Sequence, residues 1–356
     1  MRILFTIGLG IFPEQRVDRW RMVARLFLNM SQAFEALGHQ VFFMSHPEAL
    51  IPELPAHLVW VGADHEHLDL LTESFKPDFV FTWNGSSPGD RVTATLASAA
   101  GAKMVFAEQG WMPQKDTIYF DMKGTNANCS TRNSRFAAVT SLADQARFNE
   151  IRRNFIDMSK FRNPINVTRL EIRPFDMSKA IFVPLQDERD LNILLDSPFK
   201  SMQALLQFLT EKLPSAKFLV RPHPKYPNPQ LDTFDNVEVA DPKKSMFDQL
   251  ADCGGVIGIN STTLIESALL GYSVVSLGGS LATGTGLFLD WAPGEELSSE
   301  VLAARRVDQE AAAATLHHLL CVKQMLREDL GDPGKIRTSA LFSEMVRMMK
   351  WNPISR

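Results

Sequence analysis

A turn rich in hydroxyl side chains joins a predicted strand to a predicted helix in the second half of the chain. The strand is the apolar run 256–259, and the turn after it consists of Asn260, Ser261, Thr262 and Thr263. A helix that begins at the carboxyl end of a parallel strand directs backbone N–H groups and the positive end of its dipole into the ligand crevice of an α/β protein. With its hydroxyl donors, this turn could bind a phosphate group. An ordinary capped helix would show the same residues, so that alternative stays open.

The residues after the turn predict the two ends of this helix. Thr263 and Glu266 have the T-x-x-E spacing of a capping box, in which each side chain accepts a hydrogen bond at the helix N-terminus. Gly271 is typical of a helix C-terminus.

A histidine lies between two prolines and two cations after another predicted strand, 217–221. Pro222 and Pro224 restrict the backbone on both sides of His223, and Arg221 and Lys225 flank the segment. A rigid loop at the end of a strand is a common place for functional residues. The pattern favours an anion-binding site, although a single histidine can also be structural.

Strands and helices alternate along the chain, which predicts parallel sheets covered on both faces. Further strands are predicted at 2–7, 41–44, 58–61, 77–82, 103–106, 180–185, 237–239 and 272–277. Further helices are predicted at 17–37, 65–75, 90–100, 142–158, 201–213, 245–251, 309–330 and 335–350. The polar segment 116–134 is expected to be a loop, and the basic segment 160–174 a linker.

This alternation restarts after the linker, and 356 residues are enough for two domains. We therefore predict an α/β fold of the GT-B type found in glycosyltransferases, with two Rossmann-like domains whose parallel sheets face a central cleft. The domains are predicted at 1–170 and 171–335. A C-terminal helix, 336–356, is expected to pack back on the N-terminal domain.

Composition excludes several classes of protein. Apolar residues make up 45% and charged residues 22% of the chain, and the net charge of −4 provides no basic field for nucleic acid. The three cysteines are far apart in sequence, which argues against disulfides or structural zinc and favours the cytoplasm. No segment approaches the roughly 20 apolar residues that span a bilayer, so membrane contact is expected to be peripheral at most.

Four short patterns occur in one order between about residues 100 and 290. They are Glu108-Gln109-Gly110, the segment Gln186 to Asp190, His223-Pro224, and Asn260 to Thr262 followed by Glu266. This order resembles the bacterial capsule polysaccharide synthesis family, which includes retaining β-Kdo (3-deoxy-D-manno-oct-2-ulosonic acid) transferases that use CMP-β-Kdo. It is more distantly similar to bacterial sialyltransferases. Because the patterns occur once, the chain is at most a single catalytic module.

The resemblance implies that the C-terminal domain binds the CMP part of the donor and that the N-terminal domain lies on the acceptor side. His223 and the hydroxyls of residues 261–263 would contact the phosphate and stabilise the leaving group without a metal or another cofactor. Glu266 would hold the ribose, or would have only its structural role. The other predicted binding residues are Gln186, Asn260, Pro224, Gln109 and Gly110.

Retention in this family implies two carboxylates with different roles. Asp190 is the preferred nucleophile, and Asp187 is its alternative. Glu108 is the predicted acid/base that handles the proton of the acceptor hydroxyl. A solvated acidic turn and a structural glutamate would show the same residues.

The carboxylate of Kdo also requires a positive or N–H-rich surface. Arg221, Lys225, Lys123 and the loop from Gly124 to Asn126 are the predicted sources. Trp111 could form an apolar platform for a sugar, or could simply be packed.

The sequence thus predicts a transferase that moves Kdo from CMP-β-Kdo to a saccharide or glycolipid acceptor in the synthesis of a bacterial capsule or lipopolysaccharide. The alternatives are a CDP-polyol phosphotransferase of teichoic-acid type and a non-catalytic nucleotide-sugar-binding module. The expected location is the cytoplasm, at the inner face of the membrane if the basic residues between Arg147 and Arg162, with Arg347 and Lys350, contact it. A charged helix face that is only solvated is the alternative. The sequence predicts no oligomeric state.

Overall fold

The computed structural model describes residues 1–8, 17–46, 49, 51–54, 59–60, 75–226 and 231–350. The predicted helix 65–75 lies outside these residues except at position 75, as does the end of the chain beyond residue 350. The chain divides into two compact units. Unit 1 comprises Met1–Thr125 and Val322–Arg356, and unit 2 comprises Asn126–Cys321.

The described elements alternate as the sequence predicts. The strands are β1 Arg2–Ile7, β2 Gln40–Ser45, β3 Val59–Trp60, β4 Phe79–Trp83, β5 Lys103–Gln109, β6 Thr117–Asp121, β7 Ile181–Pro184, β8 Phe218–Arg221, β9 Val237–Val239, β10 Gly255–Gly258, β11 Val274–Ser276, β12 Leu289–Asp290 and β13 Gln324–Leu326. The α-helices are α1 Val17–Ala36, α2 Pro88–Ala99, α3 Leu142–Ser159, α4 Leu191–Asp196, α5 Met202–Lys212, α6 Met246–Leu250, α7 Thr262–Leu269, α8 Ser299–Ala304, α9 Gln309–His317, α10 Pro333–Thr338 and α11 Ala340–Lys350.

Unit 1 is built on a seven-stranded sheet in the order β13-β6-β5-β4-β1-β2-β3. The strands from β1 to β5 pair in parallel, whereas β6 pairs antiparallel with both β5 and β13. Phe5 lies at the centre of the core, with the rings of Phe27, Phe43 and Phe81 at centroid distances of 5.0, 5.5 and 4.8 Å. Because β1, β4 and β5 are parallel neighbours, their carboxyl ends lie along one edge of the sheet.

Unit 2 contains a six-stranded sheet in the order β12-β11-β10-β7-β8-β9, and every pair in it is parallel. The two central strands, β7 and β10, are buried at every position. The loops after β7, β8 and β10 therefore begin at the same edge of this sheet. The two α/β units with parallel strands confirm the predicted fold class.

Three observed strands, β6, β12 and β13, were not predicted from the sequence, and β6 and β13 pair with each other. The predicted loop 116–134 contains β6, and the predicted helix 309–330 is interrupted after His317 by a π-helix and then by β13. Antiparallel pairing with β6 outweighs the local helical pattern of β13. The side chain of Gln324 also accepts hydrogen bonds from the amides of Trp111 and Met112, in the segment between β5 and β6.

The units also divide the chain at different points from the predicted boundary near residue 170. Residues 126–170 belong to unit 2 because Arg152, which is 1% exposed, donates to the carbonyls of Leu269, Asn166 and Arg169. Arg152 therefore does not lie on a solvated helix face, which was the alternative given for the basic residues between Arg147 and Arg162. The chain from residue 322 belongs to unit 1, where Met345 of α11 is part of the core.

Candidate functional site

Two predicted binding residues of unit 2 hold adjacent loops together. Gln186 follows β7 and Asn260 follows β10, and these strands are parallel neighbours. The Gln186 amide donates to Asn260 Oδ1 over 3.0 Å, and the Asn260 backbone N–H donates to Gln186 Oε1 over 3.2 Å. The Asn260 amide also donates to the carbonyls of Asn192 and Gly279. This pair therefore fixes the relative position of three loops at the carboxyl edge of the sheet.

The acidic turn after Gln186 is ordered by its own carboxylates. Both oxygens of Asp187 accept from the Arg189 guanidinium, at 2.9 and 3.1 Å. This hydrogen bonding holds the pKa of Asp187 below its ordinary value. Glu188 Oε1 accepts from the Met202 amide at the start of α5 over 2.6 Å. Asp190 is the N-cap of α4, and its Oδ1 accepts from the Asn192 amide over 2.9 Å.

The proline-flanked loop after β8 orients the His223 ring. Nδ1 accepts hydrogen bonds from the backbone amides of Lys225, at 3.2 Å, and Tyr226, at 3.1 Å. Partial burial lowers the pKa of His223, while the nearby Asp187 carboxylate raises it by a smaller amount. An Nδ1 that accepts two N–H groups leaves the proton of the neutral imidazole on Nε2. The ring is therefore suited to donate a hydrogen bond from Nε2.

Tyr226 and Arg189 join this loop to the acidic turn, and the sequence analysis missed both. The Tyr226 ring stacks on His223 with 5.4 Å between the centroids, and the Arg189 guanidinium lies over the Tyr226 ring at 5.0 Å. Arg189 also pairs with Asp187. His223 and Asp187 thus belong to one cluster, which we define as Asp187, Arg189, His223 and Tyr226.

The cations that flank the histidine differ in their surroundings. The Arg221 guanidinium is partly buried and donates to the Lys244 carbonyl and to Gln249 Oε1, so it connects β8 to the start of α6. Burial lowers its pKa. Pro224 and Lys225 are exposed. Lys225 is therefore the more accessible of the two cations.

The helix after β10 begins two residues earlier than predicted. Ser261, not Thr263, is the N-cap of α7, and its Oγ accepts from the Thr263 amide over 3.3 Å. The predicted capping box is therefore wrong, because Glu266 lies two positions beyond Leu264, the position from which a capping-box side chain reaches back to the N-cap. Burial instead raises the pKa of Glu266 to about 7, partly opposed by a hydrogen bond with the Thr263 side chain. Thr262 is the first helical residue.

Glu108 lies in unit 1, near the carboxyl end of β5, and is 9% exposed. Its Oε2 accepts from the Asn84 amide over 2.6 Å, and its Oε1 accepts from the backbone amide of Gln109 over 2.8 Å. Arg19 of α1 lies 3.6 Å from Oε1. The sequence analysis predicted Glu108 but missed Asn84 and Arg19, which are far from it in the chain.

A second buried carboxylate of unit 1 was also missed. Asp90, in the first turn of α2, is 2% exposed and accepts from the hydroxyls of Thr82, at 3.1 Å, and Ser87, at 2.6 Å. Burial raises its pKa to about 7. The spacing of Ser87 and Asp90 is the S-x-x-D variant of a helix N-terminal motif, which could have indicated this pair.

The remaining predicted residues of unit 1 are explained mainly by packing. Gly110 has no room for a side chain, because an added Cβ would lie 2.4 Å from Thr117 Oγ1. Trp111 is 3% exposed and stacks on Tyr119, so the proposed sugar platform is wrong and the packed alternative holds. Lys123 is exposed, and its amide donates to Asp121. Asn126 is the first residue of unit 2 and has a left-handed backbone, with φ 52°.

Unit 2 therefore brings together His223 with Asp187, and Gln186 with Asn260, along one sheet edge. Glu108 and Gln109 form a separate polar group in unit 1. Within the described ranges, no group of three or more His, Cys, Asp or Glu side chains has the arrangement of a metal site. None of the described helices is long and apolar enough to cross a membrane.

Comparison with known proteins gives one relative in sequence and several in structure. No family model matches the sequence. Protein FixF of Sinorhizobium fredii (strain NBRC 101917 / NGR234) is 28% identical over 220 residues, and the match covers 56% of this chain and 48% of that protein. The chain thus spans about half the length of this relative.

Two solved structures of KpsC from Thermosulfurimonas dismutans are similar to the chain. The β-Kdo 2,7 transferase has a TM-score of 0.53 and 17% identity, over 98% of this chain and 100% of the other. The β-Kdo 2,4 transferase has a TM-score of 0.50 and 17% identity, over 88% of this chain and 90% of the other. The resemblance predicted from the four sequence patterns is confirmed at the level of the fold, and the chain has the fold of the KpsC β-Kdo transferases.

Proposed function

We propose that the chain is a glycosyltransferase that moves Kdo from CMP-β-Kdo to a saccharide acceptor with retention of configuration. The observation that carries the proposal is the carboxyl edge of the unit 2 sheet. There, the neutral His223 ring, two carboxylates and the N-terminus of α7 follow three neighbouring strands. The two KpsC structures, which are described as β-Kdo transferases, support the choice of donor.

In the first step, a carboxylate of unit 2 would attack the anomeric carbon of Kdo. The bond from that carbon to the phosphate oxygen breaks, and CMP leaves with the electron pair. His223 Nε2–H and the N–H groups of α7 would stabilise the developing charge on the phosphate. No proton has to be supplied, and no metal or cofactor is invoked.

Asp190 is the proposed nucleophile, with Asp187 as the alternative. Arg189 engages both Asp187 oxygens. The Asp190 contact in the described part of the chain is the helix-capping bond of Oδ1, which engages one oxygen. This difference favours Asp190, because a nucleophile needs an accessible oxygen.

In the second step, an acceptor hydroxyl would attack the same carbon and displace the carboxylate. Glu108 would accept the proton of that hydroxyl as general base. Lys225 and Arg189 are the proposed partners of the Kdo carboxylate, since both are exposed on the loops that carry His223 and Asp187. Peripheral contact with the inner face of the cytoplasmic membrane remains a prediction.

The test is detection of the covalent Kdo adduct by intact-protein mass spectrometry, with CMP-β-Kdo generated in situ. We expect an adduct on the wild type that is absent from Asp190→Ala and accumulates on Glu108→Gln, which lacks the base for the second step. Asp308→Ala is the matched control, because Asp308 is also an exposed N-cap, on α9. Its adduct should equal that of the wild type.

Other outcomes decide against parts of the proposal. If the adduct were lost in Asp187→Ala but not in Asp190→Ala, Asp187 would be the nucleophile. No adduct and no calorimetric CMP binding would overturn the proposal in favour of the phosphotransferase or the non-catalytic module. CMP binding without an adduct on Glu108→Gln would indicate an inverting transferase.

A further inference from the structure

The amide of Asn84 has one defined orientation at the end of β4. Its Oδ1 accepts the backbone N–H of Ser86 over 3.1 Å, so the other end of the amide must be the N–H₂ group. That Nδ2 donates to Glu108 Oε2 over 2.6 Å. A flipped amide would place two acceptor oxygens against each other at the carboxylate, and it would leave the Ser86 amide against a donor.

The backbone of Asn84 is held as firmly as its side chain. Its N–H donates to the Ala107 carbonyl over 2.7 Å, and its carbonyl accepts from the hydroxyl of the buried Thr125 over 2.7 Å. The backbone is left-handed, with φ 62°, which asparagine and glycine tolerate better than other residues. Asn84 is therefore a fixed donor between β4 and β5.

The other Glu108 oxygen also faces donors. Oε1 accepts the Gln109 N–H over 2.8 Å and lies 3.6 Å from the Arg19 guanidinium. A backbone amide, an N–H₂ group and a guanidinium all donate and none accepts. A protonated carboxyl group would bring its own hydrogen against one of these donors, so the arrangement fits the ionised carboxylate.

We propose that Asn84 is a positioning residue that keeps Glu108 oriented as a proton-accepting carboxylate. The inference rests on the proposed function, in which Glu108 is the general base. CMP leaves without needing a proton, whereas the acceptor hydroxyl must lose one. Glu108 can therefore begin the cycle ionised, and a proton on Glu108 before the second step would block the transfer.

The variant Asn84→Asp removes the Nδ2 donor and changes little else. Aspartate is isosteric, tolerates the left-handed backbone and can still accept the Ser86 N–H, but it directs a second carboxylate oxygen at Glu108 Oε2. Two carboxylates this close share a proton. Asn84→Gly removes the amide and also tolerates the backbone. Asn133→Asp is the control, since Asn133 is exposed and has a similar φ of 59°.

The first readout does not depend on activity. The carboxyl carbon of Glu108, assigned with Glu108→Gln, is followed by NMR titration in protein labelled with ¹³C-glutamate. In Asn84→Asp, we expect the titration midpoint of Glu108 to rise by about one pH unit or more, with a smaller rise in Asn84→Gly. Asn133→Asp should leave the midpoint unchanged. An unchanged midpoint in both Asn84 variants would overturn the inference.

The second readout is the pH profile of the transfer step. In Asn84→Asp, we expect the Kdo adduct to form at the wild-type rate but to persist near neutral pH and to be released again at higher pH. If adduct formation and transfer were slowed equally at every pH, Asn84 would have a merely structural role and the inference would be overturned. If the wild type forms no adduct but the Glu108 midpoint still rises in Asn84→Asp, the result would support the Asn84 contact and overturn the proposed function.

Discussion

His223 shows how local backbone contacts determine the protonation of one side chain. The prolines on both sides restrict the loop, and the amides of Lys225 and Tyr226 occupy Nδ1. Burial lowers the pKa of the ring. At neutral pH, the imidazole therefore has the form that donates from Nε2, which a phosphate requires.

At the same scale, Asp90 predicts a pH dependence of stability. Its pKa is about 7 in the folded protein, above the value of about 4 expected in the unfolded chain. The folded state therefore binds the proton more tightly, and the associated stability is present below pH 4 and is lost as the pH rises through 7. The loss is about 4 kcal/mol at most for three pH units.

Denaturant unfolding at pH 5 and pH 8 measures this loss. Asp90→Asn keeps the shape and cannot ionise, so we expect the stability of unit 1 to change less between the two pH values than in the wild type. Asp116→Asn, at an exposed carboxylate of unit 1, should retain the wild-type pH dependence. An equal pH dependence in Asp90→Asn and the wild type would contradict the prediction.

Some residues of the candidate site could be predicted from local sequence patterns, and others could not. His223 and the hydroxyl turn are marked by their neighbours in the chain. Asn84, by contrast, acts on Glu108 from 24 positions away, across two neighbouring strands. No local pattern marks such a contact, because it depends on which strands are adjacent in the sheet.

At the scale of elements, the buried Arg152 joins α3 to two other segments of unit 2. Arg152 donates to carbonyls of the segment 166–169 and to Leu269 at the end of α7. Burial lowers its pKa to about 10, so it stays charged at neutral pH. Segment 160–174 is therefore held to unit 2 rather than connecting two domains as a linker.

Arg152→Met should destabilise unit 2 by about 3 kcal/mol, because methionine fills similar space but leaves several buried carbonyls without a donor. The adjacent Arg153 is exposed, and Arg153→Met should change the stability by less than about 0.5 kcal/mol. Thermal and denaturant unfolding of both variants tests the difference. Equal stabilities for the two variants would show that the carbonyl contacts contribute little.

Most strands of the parallel sheets could be predicted because they are continuous apolar runs, whereas the two-residue β12 was not predicted. The predicted and observed bounds of β1 agree, those of β7 differ by one residue at each end, and those of β8 differ by one residue at the start. β6 and β13 could not be predicted in this way, since they are partners of each other and are separated by about 200 residues. β13 forms the edge of the sheet by pairing with β6, whereas β6 also pairs with β5.

At the scale of the molecule, unit 1 needs both ends of the described chain. β13 borders its sheet, and Leu330, Ile336 and Met345 complete its core. Unit 2 is one continuous segment, 126–321. A chain that stops after residue 321 should therefore keep unit 2 and lose the protection of β5 and β6.

Hydrogen exchange followed by mass spectrometry tests this expectation. We expect faster exchange in the peptides of β4, β5 and β6 of the shortened chain, and unchanged exchange in those of β7 and β10, which serve as an internal control. Unchanged protection of β6 would show that the residues after 321 are not needed for the unit 1 sheet.

β13 is synthesised long after the other strands of its sheet, which has a consequence for folding on the ribosome. A growing chain has the complete unit 2 before residues 322–350 of unit 1 are translated, so unit 1, whose synthesis starts first, is the later of the two units to obtain all its partners. Domains usually fold in the order in which they are made. Here residues 1–125 obtain β13 as a partner only after residues 126–321 have been translated, and until then the edge of β6 that faces away from β5 has no neighbouring strand.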